Sequence, residues 1–170
     1  TAVVVAATMG RPIFFRQVRP GLRGRPYLIW KFRTMRAPRP GEVWFDSDAE
    51  HVTGLGAFLR ATSLDELPEL WNVLRGEMSL VGPRPCIPYE YEIYEPWQRR
   101  RFDSVPGLTG LWQVSGKNRT TFNQMIQLDI EYSERMNLWL DLKIILKTVP
   151  ALIMQCCDVR TVNLNSKDIN

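Results

Sequence analysis

The run Thr62-Ser63-Leu64-Asp65-Glu66-Leu67-Pro68 constrains this chain more than any other stretch. It sets two adjacent carboxylates where a helix should begin, and its proline limits where that helix can start. If Ser63 capped the helix, Pro68 would fall just past the first turn and its ring would meet the Leu64 carbonyl. A start nearer Asp65 is less strained. Ser63-x-x-Glu66 also matches a capping box, in which a hydroxyl and a carboxylate satisfy exposed backbone N–H groups. Taken alone, capping is the plainer reading. The chemical alternative is that helix N-termini attract phosphates, and a carboxylate there is expected to stay ionised, as a nucleophile must.

Charge favours the chemical alternative. The first forty residues carry nine Lys/Arg and no Asp or Glu, while the remainder holds 13 Lys/Arg against 18 Asp/Glu, so a net of +4 conceals segments of +9 and −5. A one-sided basic segment suits phosphates on a nucleotide, a nucleic acid or an anionic membrane; a solvated basic face is the rival reading. Carboxylates repel phosphates, so an anionic nucleophile needs cations on the non-bridging oxygens. Lys31, Arg33, Arg60 and Arg84 are the candidates, and Arg84 stands between two prolines in Gly82-Pro83-Arg84-Pro85. A hard cation such as Mg²⁺ takes one or two carboxylates plus substrate oxygens, and Glu66 is placed to supply one.

Other chemistries find little support. The single histidine, His51, sits in no nucleophile motif and cannot build a His-based metal cluster. The three cysteines, Cys86 and the adjacent Cys156 and Cys157, form neither a disulfide framework nor a C-x-x-C pair, which fits a reducing compartment. There is no phosphate-loop motif. Gly54-Leu55-Gly56 lacks the third glycine and the preceding strand of a dinucleotide fingerprint, and no nucleic-acid-reading module is present.

At 170 residues and 45% hydrophobic, the chain can bury one core. Residues 12–18 and 26–35 read as two strands around the turn residues Arg19-Pro20-Gly21 and Gly24, with apolar and basic faces. Residues 37–50 read as a Pro-rich, then acidic, loop. Helices are expected at 52–61, with Leu55, Phe58 and Leu59 on one side, and at 64–74, with Leu67, Leu70, Trp71 and Leu74 on an apolar stripe. Residues 82–88 read as irregular, 89–101 as helix broken at Pro96, and 105–116 as turn plus strand. Two further helices are expected at 121–135 and 138–155. The last has Leu138, Leu142, Ile145, Leu146, Val149, Leu152 and Ile153 on one face, read as core in preference to membrane interface. The tail after Cys157 reads as polar and loose. No run of 18 apolar residues exists to cross a bilayer. The opening Thr1-Ala2-Val3-Val4-Val5-Ala6-Ala7 reads as the tail of a longer apolar segment or as an ordinary buried strand.

Five motifs then occur in order: Phe14-Phe15-Arg16-Gln17-x-Arg19-Pro20-Gly21, Lys31-Phe32-Arg33-Thr34-Met35, Thr62 to Pro68, Met78-Ser79-Leu80-Val81-Gly82-Pro83-Arg84-Pro85, and Pro106-Gly107-Leu108-Thr109-Gly110. Together, over roughly residues 11–150, they resemble the bacterial sugar transferases, the monotopic polyprenyl-phosphate phosphoglycosyl transferases. The resemblance implies a small, irregular α+β domain at a membrane surface, with a short β-hairpin and amphipathic helices. It divides the chain into a remnant of a re-entrant membrane helix (1–10), a catalytic domain (11–155) and a polar tail (156–170).

The implied reaction moves a sugar-1-phosphate from a UDP-sugar to undecaprenyl phosphate and releases UMP, at the cytoplasmic face of the bacterial inner membrane. By position, Asp65 is implied as the nucleophile that becomes an aspartyl phospho-sugar, with Glu66 as the Mg²⁺-associated carboxylate. Lys31, Arg60 and Arg84 are implied as phosphate holders. Membrane lipids are expected partners and nucleic acid is not; homo-oligomerisation is left open. Ser115-Gly116-Lys117-Asn118 departs from the commoner Asn-Gly-Arg-Asn pattern. The rival reading is a non-catalytic module that binds anionic membrane or phosphate within a glycan-assembly complex.

Overall fold

The computed structural model describes residues 1–36, 51–116 and 120–165, with side chains of the last helix described to Cys156. The expected loop at 37–50 and most of the Lys117-Asn118 segment lie outside the described residues. The α+β class holds. The small domain is built as two compact units, one of residues 1–15, 30–68 and 152–170, the other of residues 16–29 and 69–151.

In the first unit, α1 (Ala2–Met9) opens the chain. The strand expectation for this stretch is therefore corrected. Val5 is fully buried with Phe32 and Leu59, and Ala2, Met9, Ile13, Leu55 and Leu64 pack around them. Each such buried side chain contributes roughly 1.5–3 kcal/mol. The open ends of the hairpin strands β1 (Phe14–Pro20) and β2 (Pro26–Phe32) also belong here. Phe14 stacks on Phe32 and meets Trp30 edge-on. Strand alternation then turns Lys31, between Trp30 and Phe32, to the opposite face.

Next comes α2 (Gly54–Ala61), capped by Thr53, whose hydroxyl accepts from the Gly56 N–H at 3.0 Å. Gly56 is obligatory for packing, because a Cβ there would lie 1.8 Å from the Thr34 carbonyl oxygen.

The expected helix at 64–74 is broken in two. A 3₁₀ turn covers Leu64–Glu66, and α3 (Glu69–Leu74) begins only after Pro68. Pro68 thus precedes the helix and clashes with no carbonyl inside it.

α3 belongs to the second unit, and its burial is the reverse of expectation. Glu69 (2% exposed) and Asn72 (0%) are buried, while Leu70, Trp71 and Leu74 (80%) face outward. Polar satisfaction explains the inversion. Asn72 Nδ2 donates to the Leu28 carbonyl at 2.8 Å and to Glu77 Oε2 at 2.7 Å, tying the helix to β2 and to its own exit turn.

A parallel pair, β3 (Ser79–Val81) with β4 (Gly107–Thr109), was not foreseen; its register sets Ser79 opposite Gly107 and Val81 opposite Thr109. Glycines make it possible. A Cβ at Gly82 would lie 2.3 Å from the Val105 carbonyl oxygen, and one at Gly107 would lie 2.1 Å from the Gly82 nitrogen.

Residues 88–103 form α4 (Pro88–Ile93) and a 3₁₀ segment (Gln98–Asp103), matching a helix broken near Pro96. α5 (Leu111–Val114) replaces part of the expected strand. α6 (Phe122–Arg135) starts with a Thr121/Gln124 capping box. Tyr94, Phe102, Ile126 and Cys86 form one core of this unit, and Val81, Tyr132 and Ile144 another.

α7 (Leu138–Asn165) runs past its expected end at 155, so the loose tail after Cys157 is corrected. Its residues to Ala151 belong to the second unit and those beyond to the first. The core reading of its apolar face is overturned. Among the described side chains of α7, Ile144 is buried, while Leu138, Leu142, Ile145, Leu146, Val149 and Ile153 are exposed, as is Trp139 (81%). Among the described residues no helix is long and apolar enough to cross a membrane.

Candidate active site

The first unit brings Lys31, Arg60, Asp65 and Glu66 together through the turn that joins α2 to the 3₁₀ segment. Ser63 adopts the left-handed region (φ 55°, ψ 19°), which reverses the chain sharply. It makes no side-chain cap, so the capping box is not formed. Glu66 faces Lys31 instead, with Oε1 accepting from Nζ at 2.8 Å, both side chains mostly shielded from solvent. The plainer reading of this motif therefore fails.

Arg60 lies in the last turn of α2, where a cation suits the helix C-terminus. Its Nε donates to Thr34 Oγ1 at 2.9 Å, which leaves the two terminal nitrogens of the fork beyond that bond. Gln155 Nε2 donates to the Arg60 and Ala61 carbonyls at 3.0 and 3.3 Å, and Cys156 Sγ approaches the Ala61 carbonyl at 3.2 Å. Gln155 was missed at the sequence level. It lies far away in the chain, and nothing in its local motif marks it.

Asp65 is buried, at 8% exposure. Burial, and then the charge of Glu66, push its pKa upward; Lys31, a backbone hydrogen bond and Arg60 pull it down. The expectation that a helix terminus alone keeps this carboxylate ionised is thus corrected. A three-residue 3₁₀ turn has little macrodipole, and desolvation outweighs it. What favours the charged form here is Lys31, then a backbone hydrogen bond, then Arg60.

Arg33 does not join them. Its guanidinium is buried and donates to the Arg11 carbonyl at 3.4 Å, the Gly10 carbonyl at 3.1 Å and the Met9 carbonyl. It closes the C-terminus of α1, as a cation near the last carbonyls of a helix does. The reading of Arg33 as a phosphate holder is replaced by this structural one.

Arg84 belongs to the second unit and is half-buried in the Gly82–Pro85 loop. Its backbone carbonyl accepts from Arg101 Nη2 at 2.8 Å. Cys86 beside it is a core residue, its thiol pushed up to about 11 by burial and so not poised as a nucleophile.

Among the described residues no three His, Cys, Asp or Glu side chains gather as a metal cage. The adjacent Asp65 and Glu66 carboxylates instead fit a hard cation held by one or two carboxylates and completed by phosphate oxygens. The Lys31 ammonium already marks a cation position against Glu66.

Comparisons with known proteins show the family. The profile described as bacterial sugar transferase matches residues 1–155. The uncharacterized sugar transferase EpsL of Bacillus subtilis is 41% identical over 154 residues, covering 91% of this chain and 76% of the relative. The galactosyl transferase CpsE of Streptococcus agalactiae is 41% identical over 159 residues, 85% of this chain and 35% of its own length. The UDP-glucose:undecaprenyl-phosphate glucose-1-phosphate transferase of Caulobacter vibrioides is 46% identical over 152 residues, 84% of this chain and 57% of its own length. The chain thus spans most of EpsL but only about a third and just over half of the other two relatives. With the motifs in order, the turn built around Asp65 and Glu66, and a profile match over most of its length, this chain belongs to the bacterial sugar transferase family.

Proposed function

We propose that this protein transfers a sugar-1-phosphate from a UDP-sugar to undecaprenyl phosphate, with Asp65 as the nucleophile. The observation that carries the reading is the single turn in which Lys31 and Arg60 both act on Asp65 while Lys31 also pairs with Glu66. Two relatives bear names for this reaction, those of Caulobacter vibrioides and Klebsiella pneumoniae, and an Erwinia amylovora relative is named UDP-galactose-lipid carrier transferase.

In the first step an Asp65 carboxylate oxygen bonds to the β-phosphorus of the UDP-sugar. The bond to the bridging oxygen breaks, and that oxygen leaves on UMP. In the second step a phosphate oxygen of the lipid bonds to the same phosphorus, and the bond to Asp65 breaks. Both nucleophiles are anions, so neither step needs a general base. Lys31 and Arg60 hold non-bridging oxygens and offset the repulsion between carboxylate and phosphate. Glu66 is assigned as the carboxylate that would hold Mg²⁺, which would supply charge neutralisation when bound. Arg84 is assigned as a phosphate-binding residue of the second unit.

A membrane-surface location, at the cytoplasmic face, goes with a lipid acceptor. It is supported by the outward apolar side chains of α3 and by those of α7, which Lys143 and Lys147 accompany. Polar satisfaction on the inner side of α3 leaves its apolar side for another solvent.

The test is incubation with a panel of UDP-sugars and Mg²⁺, followed by UMP assay and intact-mass analysis. A mass increase of one phospho-sugar, absent in Asp65→Asn, is expected. UMP release by wild type with no adduct under any quench, and at the same rate in Asp65→Asn, would remove Asp65 as nucleophile.

A further inference from the structure

Arg101 (2% exposed) and Asp129 (1%) form a buried charge pair in the second unit, 2.5 Å apart. A buried ion pair is seldom worth its desolvation cost as a stabiliser, so its geometry calls for another explanation. Arg101 reaches three partners on three elements. Its Nη2 lies against Asp129 of α6 and donates to the Arg84 carbonyl at 2.8 Å; its Nη1 donates to the Tyr94 hydroxyl at 2.8 Å.

The Arg84 loop has two further ties, from the Gly82 N–H to the Thr109 carbonyl at 2.8 Å and from the Gly107 N–H to the Pro83 carbonyl at 2.9 Å. Both lie before residue 84, where β4 runs alongside. Past it, Pro85 has no N–H to donate. The Arg101 bond is a tie at Arg84 itself. Asp129 also lies within electrostatic reach of the Arg84 guanidinium, which favours its ionised form as Arg101 does.

We propose that Arg101 and Asp129 are positioning residues for Arg84: Arg101 fixes its backbone, and Asp129 fixes Arg101. Arg101 is too buried to touch substrate, so its effect passes through Arg84. The inference rests on the reading of Arg84 as a phosphate-binding residue of the transferase.

A double-mutant cycle on the full chain tests it. UMP release is measured with Mg²⁺ and the fastest UDP-sugar of the panel, per folded molecule, with Tm recorded for every variant. Arg84→Ala is expected to lose most activity. Arg101→Lys, which keeps the charge but not the fork, is expected to lower kcat/KM about 30-fold in the wild-type background and less than about threefold in Arg84→Ala. Asp129→Asn should follow the same pattern. If either substitution prevents folding, Tyr94→Phe removes only the hydroxyl behind Arg101, and its smaller loss should likewise vanish in Arg84→Ala. A wild type that releases no UMP overturns the transferase reading and this inference together. A working wild type with Arg84→Ala at full turnover overturns the role of Arg84, and the inference with it. A working wild type, a crippled Arg84→Ala and equal fold-losses in both backgrounds overturn the positioning role alone.

Discussion

Lys31 Nζ lies 2.8 Å from Glu66 Oε1, joining two residues 35 positions apart. The contact makes Lys31 a competitor for the oxygen that a divalent cation would use. Two charges so close, with both side chains largely shielded, interact more strongly than an exposed pair. Lys31→Met is therefore expected to lower UMP release by about 100-fold, through loss of a phosphate-holding cation, while lowering the Mg²⁺ concentration for half-maximal activity. Mg²⁺ titrations of both proteins check this; an unchanged or higher Mg²⁺ requirement would contradict the competition.

Asp65→Asn should separate chemistry from stability. Burial and the Glu66 charge disfavour the ionised side chain, so the neutral amide relieves a cost that the folded state carries. UMP release is expected to fall at least about 1,000-fold, while Tm rises by about 2–4 °C. Paired kinetic and calorimetric measurements decide, and a lower Tm would count against the electrostatic account.

Arg33 and Arg84 should behave oppositely. Arg33→Ala strips the carbonyls of α1 of a buried charged donor and should cost about 2–3 kcal/mol of stability, with turnover per folded molecule near wild type. Arg84→Ala should leave Tm within a few degrees and remove most activity. Urea unfolding alongside UMP assays distinguishes the two.

Gly56→Ala tests the packing of α2 on the chain that carries Lys31 and Thr34. A Cβ placed 1.8 Å from the Thr34 oxygen forces backbone to move, at a cost of about 3 kcal/mol or more. Reduced soluble yield and Tm are expected, with activity falling in step because Arg60 leans on Thr34.

The pH dependence of stability should carry the signature of Asp129. Burial raises its pKa from 3.8 to about 6, with Arg101 and Arg84 facing it and opposing the shift. Below about pH 4 the folded and unfolded forms are both protonated at this site. Between about pH 4 and 6 the folded form holds a proton that the unfolded chain has released, so stability falls as pH rises through that window. Relative to Asp129→Asn, wild type should therefore lose stability between pH 4 and 6 in urea unfolding. A gain over that range would reverse the sign.

The sequence shows some elements clearly because they satisfy local rules. Alternating Phe14 to Val18 and Pro26 to Phe32 around Pro20-Gly21 predict the hairpin, and the periodic 121–135 segment with its Thr121 cap predicts α6. Local rules also mislead at Ser63-x-x-Glu66, where a long-range partner, Lys31, takes the carboxylate that a capping box would use. β4 falls within the stretch read as turn plus strand, but β3 and the pairing were hidden because three residues show no period and the pairing depends on glycines twenty-five positions apart, Gly82 and Gly107. On α3 and α7, hydrophobic period identified the helices but not the side they bury; tertiary hydrogen bonds of Asn72 and the packing of Ile144 decide that. Asp65, Glu66, Lys31 and Arg60 were read together from their charges, and the structure places them in one unit. Arg33 was not, because a basic residue in a basic motif gives no sign of the carbonyls it meets.

The bonds from Gln155 to the Arg60 and Ala61 carbonyls bridge 95 and 94 positions. They lie directly behind the bend at Ser63. During synthesis that bend has no backing until Gln155 has left the ribosome. A nascent chain that stops short of Gln155 therefore carries Asp65 in an unfinished setting, and the turn gains its final support only once that residue has emerged.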